Sequence, residues 1–243
     1  QENNLLLRVA EATLFFMKNF ENKAVIIVAG GSGKRMESNV PKQFLPLAGK
    51  PVLMHTIRRF YDFDPQIRIV VVLPFQHIET WNRLCSEQRF MIAHQIVAGG
   101  NERFYSVKNG LQLIDDDSIV AIHDGVRPLV SHEVIGKSYH YAAFYWGAIP
   151  VILPSESLRK TRDLSSEPVN RAHYRLIQTP QTFRADLIKK AYLKPYDPLF
   201  TDDATVFEAS GYSVHLFEGN VENIKITTPF DMKIAEACMK TEK

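Results

Sequence analysis

The residues best suited to chemistry form a glycine-rich stretch near residue 30, Ala29-Gly30-Gly31-Ser32-Gly33-Lys34-Arg35-Met36, followed by Val40-Pro41-Lys42-Gln43-Phe44. Three glycines let successive backbone N–H groups turn toward one anion, and the basic side chains follow at once. Two familiar phosphate loops fail against it. A Walker A loop needs glycine where Val28 stands and a hydroxyl where Arg35 stands. The dinucleotide fingerprint, begun at Gly31, needs glycine or alanine at Met36. A plain glycine turn with surface Lys and Arg is the structural alternative. The Pro-Lys that follows argues against it, because it concentrates Arg35 and Lys42 near one anion. A triphosphate attacked at its α-phosphorus builds negative charge on the departing pyrophosphate, and preplaced cations answer that charge without reorganising.

Four more blocks follow in order. They are Gly99-Gly100-Asn101-Glu102-Arg103 with Ser106-Val107, then His123-Asp124-Gly125-Val126-Arg127-Pro128, Thr179-Pro180-Gln181, and Asn223-Ile224-Lys225-Ile226-Thr227. The glycine loop with Pro-Lys-Gln resembles sugar- and alcohol-phosphate nucleotidyltransferases. All five blocks together resemble the 2-C-methyl-D-erythritol 4-phosphate cytidylyltransferase family of isoprenoid biosynthesis, over essentially residues 23–240.

The resemblance implies transfer of CMP from CTP to a small polyol phosphate, with Mg²⁺ or another divalent cation and a cytoplasmic homodimer. It makes Arg35, Lys42 and Lys225 the catalytic cations. Ala29, Gly30, Gly31, Ser32, Gly33, Gly100, Asn101, Ser106, Asp124 and Gly125 become nucleotide-binding positions. Asp124, Arg127, Ser157, Arg171, Thr179, Thr201 and Lys225 fall around the second substrate, with Asp124 also the candidate metal contact. Many relatives carry Asp where Asn101 stands, and Ser157 replaces a more usual Thr. Local alternatives stay open: a structural ion pair for Asp124 and Arg127, a helix cap for Thr201, a solvent-facing residue for Lys225. Ribitol 5-phosphate is the alternative acceptor, and a catalytically silent nucleotide binder the alternative class.

These blocks need a frame. Residues 24–29, 67–73 and 119–122 are short, continuous, β-branched apolar runs, the pattern of strands buried on both faces. Between them Leu53, Ile57, Phe60 and Tyr61 keep helical spacing after Pro51, as do the stretches 75–88 and after Asn101. Ile135, Tyr139, Ala142 and Trp146 share another helical face, and 147–151 returns to strand. Alternation of this kind predicts a doubly wound, mainly parallel α/β sheet of Rossmann-like type. Residues 153–175 break the pattern with two prolines, serines and charges, and read as a protruding functional β-arm, about 152–176, to which the resemblance assigns dimerisation. Thr201-Asp202-Asp203 opens a helix that stops at Gly211, 213–217 is a strand, and Thr228-Pro229 opens the last helix. Residues 1–22 read as an extension without function and 23–243 as one domain.

Composition sets the outer limits. The 243 residues are 45% hydrophobic with a net charge of +2, which argues against a disordered chain and is too nearly balanced to point to a nucleic-acid groove, so any basic site must be a local cluster. Two distant cysteines exclude a disulfide framework or a cysteine zinc site. The most apolar early stretch, 5–16, carries Arg8 and Glu11 and is shorter than the ~20 residues that span a membrane.

Overall fold

A computed structural model describes residues 22–31, 40–163 and 165–241. The expected N-terminal extension, apart from Asn22, lies outside the described residues, as do Ser32, Gly33, Lys34 and Arg35. The strands are β1 (Lys23–Val28), β2 (Pro46–Leu47), β3 (Lys50–Pro51), β4 (Arg68–Leu73), β5 (Gln95–Ala98) and β6 (Ile119–Asp124). They continue with β7 (Gly147–Ile152), β8 (Arg159–Arg162), β9 (Ser165–Pro168), β10 (Leu176–Ile177), β11 (Gln181–Arg184) and β12 (His215–Glu218). The helices are α1 (Val52–Phe63), α2 (Ile78–Glu87), α3 (Arg103–Leu111), α4 (His132–Tyr145), α5 (Ala185–Ala191), α6 (Asp203–Glu208) and α7 (Pro229–Thr241).

The main sheet runs β10-β7-β11-β6-β1-β4-β5, with β12 on the other side of β7. Strands β5, β4, β1 and β6 are parallel, as the alternating pattern predicts. The far side is mixed, because β11 enters antiparallel between β6 and β7. From β1 the chain moves outward to β4 and β5, then returns to β6 on the opposite side of β1. That reversal opens a crevice at the carboxyl ends of β1 and β6, the usual ligand position in such sheets. Register sets its floor: Val28 lies opposite both Val72 and Asp124.

Each side of β1 faces its own core, which explains the uninterrupted apolar run. Val25 and Ile27 pack with Leu53, Ile57, Phe60 and Trp81; Ala24 and Ile26 pack with Phe104, Val107, Phe183 and Phe207. A third cluster joins Leu47, Val126, Leu129, Ile226 and Ala235 and clamps the turn after β6 against α7.

Several local expectations are corrected. Tyr61 lies off the buried stripe of α1 and is exposed. Trp146 is not on the buried face of α4; it ends the helix in the left-handed region at φ 69° and is half exposed. Pro51 precedes α1 as its cap residue rather than sitting in the first turn. The segment around Lys225 is irregular, not a strand, and the strand near 213–217 begins at His215. In the expected arm, β8 and β9 form an exposed antiparallel hairpin, followed by a short 3₁₀ turn at Arg171–His173.

Candidate active site

The crevice is a cleft of about 250 Å³. On one wall the end of β1 is pinned by two bonds: Ala29 N–H donates to the Val72 carbonyl at 2.9 Å, and the Gln43 amide donates to the Ala29 carbonyl at 2.9 Å. Gln43 belongs to a 3₁₀ turn, Lys42–Phe44, whose Phe44 ring stacks on Trp81 with centroids 6.0 Å apart. Lys42 is thereby set on a fixed backbone, 9% exposed and lining the cleft. Its Cε would lie 3.2 Å from a Cβ at Gly31, so glycine there leaves the lysine its path.

The opposite wall is the 99–103 loop. Gly99 N–H donates to the Leu73 carbonyl at 2.8 Å, and the Ser106 hydroxyl accepts from Gly100 N–H at 3.1 Å while donating to the Glu102 carbonyl at 3.1 Å. A Cβ on Gly100 would meet Tyr105 Cβ at 2.4 Å, so the loop can close on α3 only with glycine. Arg103 also lines this wall, and its guanidinium makes a two-pronged pair with buried Asp203 at 2.8 and 2.6 Å.

Asp124 is the charged centre. Its Oδ2 takes Lys225 Nζ and Arg127 Nε, each at 3.1 Å. Burial alone would push the carboxyl pKa up. The cations Lys225, Arg103 and Arg127 outweigh it and hold the group well below the usual carboxylate range. Lys225 comes from the far end of the chain, fixed by the bond from Ile226 N–H to the Val126 carbonyl at 3.0 Å and by the buried Ile226 side chain.

Behind Asp124, hydrogen positions follow from their partners. His123 Nε2 faces the Arg127 carbonyl at 3.0 Å, so it carries the proton and Nδ1 is an acceptor. The Thr179 hydroxyl, 3.0 Å from Nδ1, donates to it while accepting from Asp124 N–H at 3.1 Å. Burial pushes the His123 pKa down to about 4, which keeps the ring neutral in this role.

A cleft of this form matches the sequence blocks, and comparison with known proteins is decisive. The sequence fits the family described as 2-C-methyl-D-erythritol 4-phosphate cytidylyltransferase (IspD) over residues 23–241. The chain belongs to this family. It is therefore an enzyme, a nucleotidyltransferase, and the family's activity is CTP-dependent cytidylyl transfer to 2-C-methyl-D-erythritol 4-phosphate. The enzyme of that name from Bacteroides thetaiotaomicron is 52% identical over 217 residues, 89% of this chain and 99% of the relative. That from Porphyromonas gingivalis is 47% identical, over 89% of this chain and 97% of the relative. Among solved structures, the Anaerococcus prevotii 4-diphosphocytidyl-2C-methyl-D-erythritol synthase superposes with a TM-score of 0.77 at 26% identity, covering 93% and 98% of the two chains. The Thermus thermophilus cytidylyltransferase gives 0.74 at 29% identity, covering 90% and 99%.

In this cytidylyltransferase the cleft gathers Ala29, Gly30, Gly31, Lys42, Gly100, Asn101, Ser106, Asp124 and Lys225 from the positions the sequence blocks single out. Others lie elsewhere. Gly125 is a packing glycine: a Cβ there would stand 2.9 Å from that of Ala29. Arg127 is turned inward, bonded to Asp124 and, at 2.7 Å, to the Asn223 carbonyl. Thr179 has its hydroxyl committed to His123 and Asp124. Thr201 is exposed and does not cap α6; Asp202 does, accepting from Thr205 N–H at 2.9 Å. Ser157 and Arg171 are exposed on the arm side of the chain, away from the cleft lining. Sequence reasoning passed over Gln43, Glu102 and Arg103 as cleft residues, although all three stand inside blocks it quoted.

The donor set suits one kind of metal. Among the described residues no group of three His, Cys, Asp or Glu side chains could hold an ion. Both ion pairs of Asp124 use Oδ2, which leaves Oδ1 for a cation. One carboxylate oxygen fits Mg²⁺, which takes most of its ligands from water and substrate phosphates.

Proposed function

We propose that the chain transfers CMP from CTP to 2-C-methyl-D-erythritol 4-phosphate, giving 4-diphosphocytidyl-2-C-methyl-D-erythritol and pyrophosphate. A phosphate oxygen of the acceptor attacks the α-phosphorus in line. The bond from that phosphorus to the oxygen bridging to the β-phosphate breaks, and its electron pair leaves with pyrophosphate. The nucleophile is already anionic at neutral pH, so no general base is needed. The observation that carries this reading is the convergence of Lys42, the 99–101 loop and the Asp124–Lys225 pair on one cleft, from segments far apart in sequence.

Lys42, with Arg35, meets charge growing on the leaving group, and Lys225, held by Asp124, draws in the acceptor phosphate. The backbone of Ala29 and Gly100, with Asn101 and Ser106, checks the small pyrimidine edge. Asp124 Oδ1 would hold Mg²⁺, which when bound supplies further neutralisation of the triphosphate charge. Ser157 and Arg171 act in this reading across a homodimer, the arm of one protomer reaching its partner's second-substrate pocket. A cytoplasmic setting completes the proposal and agrees with a chain that has only two cysteines, far apart in sequence.

The test is pyrophosphate release with Mg²⁺ and CTP, comparing 2-C-methyl-D-erythritol 4-phosphate with ribitol 5-phosphate, and ATP and GTP as nucleotide controls. Release confined to CTP with the methylerythritol phosphate is the expected result. Preference for ribitol 5-phosphate would overturn the acceptor, and CTP binding without release would overturn the catalytic reading.

A further inference from the structure

We propose that Asp203 is a positioning residue: through Arg103 it fixes the 99–103 loop, and so the affinity of the cleft for the nucleotide. The inference rests on reading that cleft as the CTP site.

The Asp203 side chain is fully buried, and each of its polar contacts is defined. Its carboxylate takes both terminal nitrogens of Arg103 and, at 2.6 Å, the Tyr192 hydroxyl. Its backbone N–H and that of Ala204 both donate to Gln181 Oε1 at 2.9 Å, and the Gln181 amide nitrogen donates to Asp202 at 2.8 Å. Asp203 is thus anchored to β11 and α5 and has no freedom to follow the loop; the loop must follow it. Arg103 reaches it from the first residue of α3, across 100 positions of sequence, with 30% of its side chain exposed where it lines the cleft.

Stability is a poor explanation for such a pair. A carboxylate taken wholly out of water costs several kcal/mol, and apolar replacements of buried ion pairs are often as stable. What the two-pronged geometry supplies is direction, since a planar guanidinium held at both tips fixes its own plane. Glu102, the residue before α3, makes no side-chain cap bond that would hold the loop instead. Gly99 ties the start of the loop to β4 and Ser106 ties it to α3 from within, while the Arg103–Asp203 pair ties its far end to α6.

The experiment compares steady-state pyrophosphate release in the full chain for wild type, Asp203→Asn, Arg103→Gln and the double variant, varying each substrate in turn. CTP affinity is measured separately by calorimetry. Release by wild type tests the site reading on its own, before any variant is considered. Each single variant is expected to raise the CTP KM about 10-fold or more, the scale of hydrogen bonds to a charged group. In Asp203→Asn, kcat and the KM for the second substrate should stay within about 3-fold, because Arg103 keeps its charge beside Asp124 and the loop, not the reacting centre, is displaced. The double variant should be no worse than the more affected single one, the non-additive result expected of one shared link. A CTP KM within 2-fold of wild type in Asp203→Asn, additive effects, or a parallel loss in all three constants would overturn the proposal. If Asp203→Asn does not fold, Tyr192→Phe, which removes the second anchor of the Asp203 carboxylate, decides by the same split between KM and kcat.

Discussion

His123 makes the stability of this enzyme depend on acid in a way that can be calculated. Its ring is fully buried, Phe60 meets it edge-on at 5.0 Å, and its nitrogens are committed to the Arg127 carbonyl and the Thr179 hydroxyl. The charged groups around it, Asp124, Arg127 and Lys225, partly offset one another, and burial dominates the lowering of its pKa to about 4. In the unfolded chain the same ring titrates near 6.5. The folded value is the lower one, so the contribution is complete above pH 6.5 and is lost as pH falls toward 4. Over that window the unfolded chain binds the extra proton. One pK unit is about 1.4 kcal/mol, so the loss from this residue is about 2 kcal/mol between pH 7 and pH 5, and about 3 by pH 4.

His55 and His94, both also lowered by burial, add a slope of the same sign, and the histidine must be isolated by substitution. Urea unfolding of wild type and His123→Asn at pH 7 and pH 5 does this. The variant starts less stable, having lost its bonds to Thr179 and Arg127, but its stability should fall by about 2 kcal/mol less over the interval. Equal pH dependence in the two proteins would refute the buried, neutral histidine and the hydrogen-bond order built on it.

Three other outcomes follow from the same geometry. Lys42→Ala should lower kcat about 10²- to 10³-fold, the ~2.7–4 kcal/mol of one preorganised donor, and a near-wild-type rate would contradict its role against the leaving group. Gly100→Ala forces Tyr105 and the loop apart from 2.4 Å, an overpacking cost of about 1–3 kcal/mol, visible as a raised CTP KM in steady-state assays. Asp124→Asn should cost stability toward the lower end of the ~3–5 kcal/mol for a broken buried pair, because Lys225 is 44% exposed; urea unfolding measures it, alongside a fall in turnover.

Much of the frame was legible in local pattern. The apolar runs of β1, β4 and β6 announce strands covered on both faces, and the two cores on either side of β1 are the reason. Helical spacing found α1 to α4, because period is a local property, and Thr228 before Pro229 marked the start of α7, where Thr228 accepts from Asp231 N–H at 3.3 Å. Local pattern failed where the chain is short or shaped by distant contacts. The four residues of β11 are inserted antiparallel by pairing with β6 and β7, and nothing in Gln181–Arg184 encodes that direction. Lys225 lies between isoleucines that mimic a strand, yet the chain there is held open by Val126 and by burial of Ile226.

The division has one physical root. Sequence by itself determined which residue types stand in which order: the glycine loop with Lys42, the Asp124 turn, and the alternation that places both at strand ends. Only the tertiary structure decided which charges meet. Asp124 pairs with Lys225 because β6 lies beside β1 in a register that sets Val28 opposite Asp124, and because α7 packs its preceding segment onto Val126. Arg103 finds Asp203, and Thr179 turns inward to His123 instead of outward to the cleft, for the same reason. Spacing along a chain fixes local geometry, whereas pairing across 50 or 100 residues is fixed by strand register and core packing, which no single segment contains.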